Sequence, residues 1–357
     1  MSTDGTDRTQ LIWDVIGGLS RFAALATLAG LGGAEHLREA PLTPAELAAR
    51  CGADADAMAR VLRELAGTGV VESAPGGRYA LTPAGATLCA DAPDSTLPAV
   101  LMNAGPEMRY ALDHLPRTVR EGRSAFTAEH GPLYEHLSRN PERARLFDDY
   151  MTSRAMPHRQ AVVDRYDFSG VGTLVDVGGG KGHFLSAVLA AHPHLRGVLF
   201  ELDHVAAAAR DHLEAAGLAD RAEAVGGDFF GGGLPAGADA YLLGSVLHNW
   251  SDADAVRILR AVRAAMAPGG RVLVLEYALP DDDRPHVGLD GDIRMLALFG
   301  DGAERTRDQY RALMEDADLR LDRVIDLPGG VALMEARPLG GEGRAADRDD
   351  RRVTVSR

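Results

Sequence analysis

Leu174-Val175-Asp176-Val177-Gly178-Gly179-Gly180-Lys181-Gly182-His183-Phe184 is the stretch on which the reading of the fold turns. An apolar run rich in Val and Leu has the character of a parallel strand buried on both faces. It runs into glycines and then into a helical pattern, Phe184 to Ala191. Glycine at such a corner lets the backbone approach a ligand, and the helix start behind it points N–H groups at that ligand. Gly178, Gly180 and Gly182 alternate as G-x-G-x-G, whereas the dinucleotide fingerprint needs its third glycine at position 183, which is His183. Asp176 places a carboxylate at the strand end, where an amino group can be held. The pattern speaks against a nicotinamide dinucleotide and for a nucleoside with a cationic, amino-acid-like tail. S-adenosylmethionine has that form.

Downstream, strand and helix patterns alternate, which predicts an α/β fold with a doubly wound, Rossmann-like sheet. The second strand, Val198-Leu199-Phe200, ends at Glu201, where ribose hydroxyls are read in such folds. Arg221 to Val225 leads to Gly227-Asp228-Phe229-Phe230, and Asp228 and Phe229 are placed to border an adenine ring. Tyr241-Leu242-Leu243 is a fourth strand, followed by Gly244-Ser245-Val246-Leu247-His248-Asn249-Trp250 and a helix opened by Ser251. Arg271 to Glu276 is a fifth strand with an acid at its end. Acids and a histidine at successive strand ends face the crevice where open α/β sheets bind ligands.

Upstream, Leu11, Ile12, Val15, Ile16 and Leu19 recur at helical spacing, and Phe22, Leu25, Leu28 and Leu31 continue on a second predicted helix. Both are more apolar than one core face requires, as either a bundle core or a subunit interface would be. Thr43-Pro44-Ala45-Glu46 carries the signals of a capped helix start, and Gly52 ends that helix. A second helix from Asp54 or Asp56 and two short strands around Ala74-Pro75-Gly76-Gly77 complete a winged-helix pattern. Its recognition helix opens with Asp54 and Asp56, which repel phosphates, so no nucleic-acid partner is expected. Residues 95–165 read as irregular helices able to wall a substrate pocket.

The chain has 357 residues, room for two domains, and a formal charge of -14, which disfavours general binding to nucleic acid or anionic membrane. Two cysteines make no disulfide framework, so a reducing, cytoplasmic location is expected. No apolar run reads as long enough to span a bilayer, no secretory signal is apparent, and no membrane partner is expected. Histidine and cysteine spacing shows no metal motif. The predicted division is 10–95 winged helix, 96–165 helical linker, 166–337 catalytic domain and 338–357 disordered tail.

The glycine-rich turn, Phe200-Glu201-Leu202-Asp203-His204-Val205, Gly227-Asp228-Phe229-Phe230, Leu247-His248-Asn249-Trp250-Ser251-Asp252, Ala267-Pro268-Gly269-Gly270 and Glu304-Arg305-Thr306 occur in this order. Together they resemble the S-adenosylmethionine-dependent O-methyltransferases of the plant caffeate and flavonoid type and their bacterial natural-product relatives. The resemblance implies an α-helical winged-helix dimerisation domain ahead of the sheet, a homodimer and a small aromatic substrate. It implies that Asp176, Gly178, Gly180, Glu201, Asp228, Phe229 and Ser245 hold the cofactor. It makes His248 the general base, flanked by Glu276 and Glu304, with no metal. Met151 matches a methionine near the reactive methyl, and Met295 and Phe299 are assigned to the acceptor pocket. Asn249, where Asp is frequent, and Asp301-Gly302, where Gly-Gly is frequent, depart from the family pattern. Two further readings compete: a family member performing hydroxylation or decarboxylation, and a winged-helix regulator that senses the cofactor.

Overall fold

The computed structural model of the chain describes residues 9–339. The polar ends read above as disordered, 1–8 and 340–357, lie outside the described residues. The chain divides into two compact units, Met1–Tyr110 with Leu137–Arg154, and Ala111–His136 with Ala155–Arg357. Residues 96–165 are thus shared between the two, and the helix Pro141–Arg165 contributes to each.

The first unit opens on one helix, Gln10–Gly30, not two. Gly17 and Gly18 suggest a break, but Arg21 folds back over Gly17 and donates to the Asp14 carbonyl, holding the turn together. By length and composition this helix is apolar enough to cross a membrane, which corrects the sequence expectation. Small residues interrupt the apolar run without making the whole helix polar. Its Leu11, Ile12, Trp13, Val15, Ile16 and Leu19 are exposed, Leu19 to 77%. Thr43 caps the helix Pro44–Cys51 in a reciprocal box with Glu46, and Gly52 closes it in a left-handed conformation. Asp54 caps Ala55–Gly67, whose Met58, Leu62 and Leu65 are buried at helical spacing. β1 (Val71–Ala74) and β2 (Arg78–Leu81) pair antiparallel around Gly76 and Gly77, both at positive φ. This is the expected winged-helix order, with a short added helix, Pro83–Ala86.

The second unit is built on an eight-stranded sheet. Its strands are β3 (Thr173–Val177), β4 (Arg196–Glu201), β5 (Ala222–Gly226), β6 (Ala240–Gly244), β7 (Arg271–Leu279), β8 (Arg305–Thr306), β9 (Leu319–Asp326) and β10 (Val331–Pro338). The order is β5-β4-β3-β6-β7-β10-β9, with β8 beside β7. β3 to β7 run parallel, while β10 is antiparallel to both its neighbours. Pleating divides the core. Val175, Val177, Tyr241, Leu243, Val272 and Val274 face one layer with the helices Asp252–Ala265 and Arg307–Asp316. Leu174, Leu242, Leu273 and Leu275 face the other, with His183–Ala191 and Asp203–Ala215. The chain leaves β3 in one direction toward β4 and later in the other toward β6. That reversal opens a crevice at the strands' C-terminal ends.

Candidate active site

The glycine corner follows β3 directly. Gly178, Gly180 and Gly182 all have positive φ, a region that side chains disfavour, and a Cβ on Gly178 would stand 2.9 Å from Val246. β3 and β6 are neighbours, so Gly178 and the Ser245-Val246 turn meet at the switch point. Asp176 lies under this corner, 2% exposed, with no hydrogen-bond partner for Oδ2 among the described residues. Burial, and then the charge of Glu201, push its carboxyl up to about 7. Such a group fits an ammonium, which would supply the missing partner and favour ionisation.

Glu201 ends β4, where its side chain accepts from the Leu202 N–H. Asp228 is exposed after β5 and accepts from the Phe230 N–H at 2.8 Å. Phe229 packs edge-on against Trp250 at 5.6 Å. Cradle, acid and aromatic edge thus fall on the ends of β3, β4 and β5, as a nucleoside with a charged tail requires. Ser245 is a non-glycine residue at φ 56°, a conformation that costs about 1–3 kcal/mol. Its N–H donates to the Leu275 carbonyl and its carbonyl accepts from Asn249 Nδ2 at 3.3 Å. An aspartate at 249 has no N–H for that bond, so the departure at Asn249 serves this turn.

The second half of the site lies one strand over. β6 ends in the Ser245-Val246 turn, and the short helix Leu247–Asn249 carries His248, 1% exposed. Glu276 shares the β7 face of Val272 and Val274, and this places it beneath that short helix. Its Oε1 accepts from the Val246 and Leu247 N–H groups at 2.9 and 2.8 Å and from His248 N at 3.4 Å. Its Oε2 stands 3.4 Å from His248 Nδ1. Burial raises the Glu276 carboxyl; His248 and these N–H groups pull it back. Glu304 Oε1 lies 3.0 Å from the same Nδ1. Two buried carboxylates on one nitrogen assign the proton to Nδ1 and leave Nε2 as the basic atom. Nδ1 and the two carboxylates also lie within 4.8 Å of one another, a spacing open to a cation.

Glu304 arrives on a loop docked against His248 itself. The Ala303 N–H donates to the His248 carbonyl at 2.9 Å, and the Glu304 N–H donates to Asp292 Oδ1 at 2.9 Å. Arg305 reaches back to the Leu247 and Trp250 carbonyls at 3.0 and 2.7 Å and to Asp252 at 2.8 Å. The Asp301-Gly302 departure therefore still delivers Glu304 to the histidine.

Sequence reasoning missed Asp292, Arg305 and Tyr310. Tyr310 is fully buried, and burial together with Glu276 and Glu304 holds its hydroxyl well above the ordinary phenol range. The available signal was the Thr306–Gln309 capping box, which opens the helix carrying Tyr310. Of the residues assigned to the acceptor, Met295 is buried and Phe299 half-buried at the end of the helix Val287–Leu298, where Phe299 meets Tyr134 at 5.9 Å. Met151 is half-buried on Pro141–Arg165, in the first unit.

The O-methyltransferase domain model matches residues 112–320, and the O-methyltransferase dimerisation domain model matches residues 13–91. The phenazine O-methyltransferase PhzM of Lysobacter antibioticus is 39% identical over 88% of this chain and 92% of its own. The aclacinomycin 10-hydroxylase RdmB of Streptomyces purpurascens is 38% identical over 91% of this chain and 85% of its own. The crystal structure of NcsB1, an O-methyltransferase from neocarzinostatin biosynthesis, contains S-adenosylmethionine and 2-hydroxy-5-methyl naphthoic acid. It is 34% identical, with a TM-score of 0.75, and the match covers 89% of this chain and 96% of that one. The chain belongs to the S-adenosylmethionine-dependent O-methyltransferases, with the family's dimerisation domain ahead of its catalytic domain.

Proposed function

We propose that this enzyme methylates a phenolic hydroxyl of a small aromatic or polyketide natural product, with His248 as general base, acting as a homodimer. The observation that carries the reading is the pair of carboxylates on His248 Nδ1. S-adenosylmethionine, when bound, supplies an activated methyl group on a good leaving group. Asp176 would hold its ammonium, Glu201 its ribose, and the Asp228-Phe229 edge its adenine. Alignment and proton removal are what remain for the protein. A free imidazole titrates near ~6.5 and a phenol near ~10, so proton removal is uphill. Glu304 and Glu276 lower that slope by fixing the tautomer and stabilising the charged ring as it forms.

This arrangement works as a base without a cation, and the proposal assigns it none. Relatives support an aromatic acceptor, NcsB1 holding a naphthoic acid in its crystals. The exposed apolar face of Gln10–Gly30, most of it within the region matched by the dimerisation model, supports the homodimer.

The test is mass spectrometry of products from the purified enzyme, S-adenosylmethionine and a panel of phenolic acceptors, with His248→Ala alongside. A gain of one methyl that collapses in the variant is expected. Full methylation by His248→Ala would remove the base from the proposal. A second reading rests on the similarity to RdmB, named as a hydroxylase: a product gaining oxygen instead of a methyl would favour it.

A further inference from the structure

We propose that Asp292 is a positioning residue of this site, holding the backbone from which Glu304 reaches the base. The inference rests on the reading of His248 and Glu304 given above. Glu304 is the last residue of a six-residue loop, 299–304, between the helix Val287–Leu298 and β8. A glutamate side chain has three rotatable bonds, and its carboxylate finds a fixed partner only if its backbone is fixed first. Two bonds do this from opposite sides. Ala303 N–H ties the loop to the His248 carbonyl, and Asp292 Oδ1 ties Glu304 N–H to the preceding helix, each at 2.9 Å.

Asp292 is not an economical choice for stability alone. It is partly buried, and its carboxyl is raised by burial and again by the charge of Glu304, offset by the Glu304 N–H and Arg305. A further acid is thus kept beside Glu304, where like charges repel. The arrangement accepts that repulsion and in return fixes the distance between Glu304 and Nδ1. Asparagine offers the same acceptor oxygen without the charge, whereas alanine offers neither.

The experiment compares Asp292→Ala and Asp292→Asn with wild type and His248→Ala, using S-adenosylmethionine and an acceptor that the wild type methylates. It reads kcat, the KM for S-adenosylmethionine, and the acid limb of the rate against pH. Alanine is expected to lower kcat about tenfold to a hundredfold, with KM changed less than about twofold. Carboxylates opposite Nδ1 favour the charged ring, so a displaced Glu304 moves the acid limb to lower pH. Asparagine is expected to restore most of kcat. If alanine prevents folding, Asp292→Ser, whose hydroxyl is too short for the bond, replaces it. Unchanged kcat and acid limb in the truncated variants overturn the proposal. So does equal loss in the truncated and asparagine variants through a smaller active fraction, with the limb unmoved. Retained turnover in His248→Ala would instead overturn the base assignment, a separate result.

Discussion

Gly302 passes so close to His248 that a methyl group added to it would stand 2.6 Å from the His248 carbonyl oxygen. That oxygen also accepts the Ala303 N–H, so the loop has little freedom to retreat without releasing Glu304. Gly302→Ala is expected to lower kcat about a hundredfold, the cost of a misplacement near 1 Å at a catalytic group. Steady-state kinetics with a thermal melt checks this. A variant with wild-type kcat would show that the loop can shift without consequence.

The two carboxylates call for separate tests. Glu304→Gln and Glu276→Gln each keep an oxygen but bring an NH2 group toward a nitrogen that already carries a proton. We expect kcat to fall about tenfold to a hundredfold in Glu304→Gln, the worth of one charged hydrogen bond, and less in Glu276→Gln, whose Oε1 can still accept the Val246 and Leu247 N–H groups. Affinity for S-adenosylmethionine, measured by calorimetry, should stay near wild type in Glu304→Gln, because Glu304 touches none of the residues assigned to the cofactor. Loss of cofactor affinity equal to the loss of kcat would assign Glu304 to binding instead.

Asp176 makes stability depend on pH in a definite direction. An unfolded aspartate titrates near ~3.9. The folded group is raised to about 7 by burial and then by Glu201. Between those values the folded chain holds a proton that the unfolded chain has released, so stability falls as pH rises through the window. An ammonium bound at Asp176 reverses the sign, since it favours the ionised form. The melting temperature of wild type relative to Asp176→Asn should fall across the window without S-adenosylmethionine. The gain in melting temperature on adding the cofactor should grow with pH. Parallel pH curves for the two proteins, with and without cofactor, would refute the assignment.

The helix Gln10–Gly30 exposes a run of large apolar residues, Leu11 to Leu19. Covering one leucine is worth about 1.5–3 kcal/mol, so charges on this face should be felt strongly. Ile16→Glu with Leu19→Asp is expected to shift the enzyme from dimer to monomer, read by light scattering on a sizing column. A dimer that persists unchanged would place the subunit contact elsewhere.

The parallel half of the fold was legible in the sequence, and the antiparallel half was not. β3, β4 and β6 are apolar runs that stop at glycine or acid, a contrast visible in one dimension, whereas β7 runs past Glu276, its expected end, through apolar residues to Leu279. β9 alternates charged and apolar residues, Leu319 to Asp326, and resembles a solvated surface until β10 is laid beside it. The apolar stretch from Leu11 to Leu31 reads as two helices, yet the chain forms one, Gln10–Gly30, with Arg21 donating to the Asp14 carbonyl beside Gly17. At the site, His248 and its two acids were legible through the family motifs, although Glu276 lies inside β7 and not at its end. Asp292 was not, since it acts through a backbone N–H twelve residues away, and no spacing rule encodes such a bond.

β10 has a consequence for the order in which the enzyme can be completed. This strand lies between β7 and β9, and its Ala332 pairs with Glu276. The sheet is therefore closed from the inside by a segment that follows every residue of the candidate site in the chain. Until Val331–Pro338 is inserted, β7 has an open flank at the acid that faces His248. A chain stopped before that strand would carry every residue of the site but leave Glu276 on an edge strand.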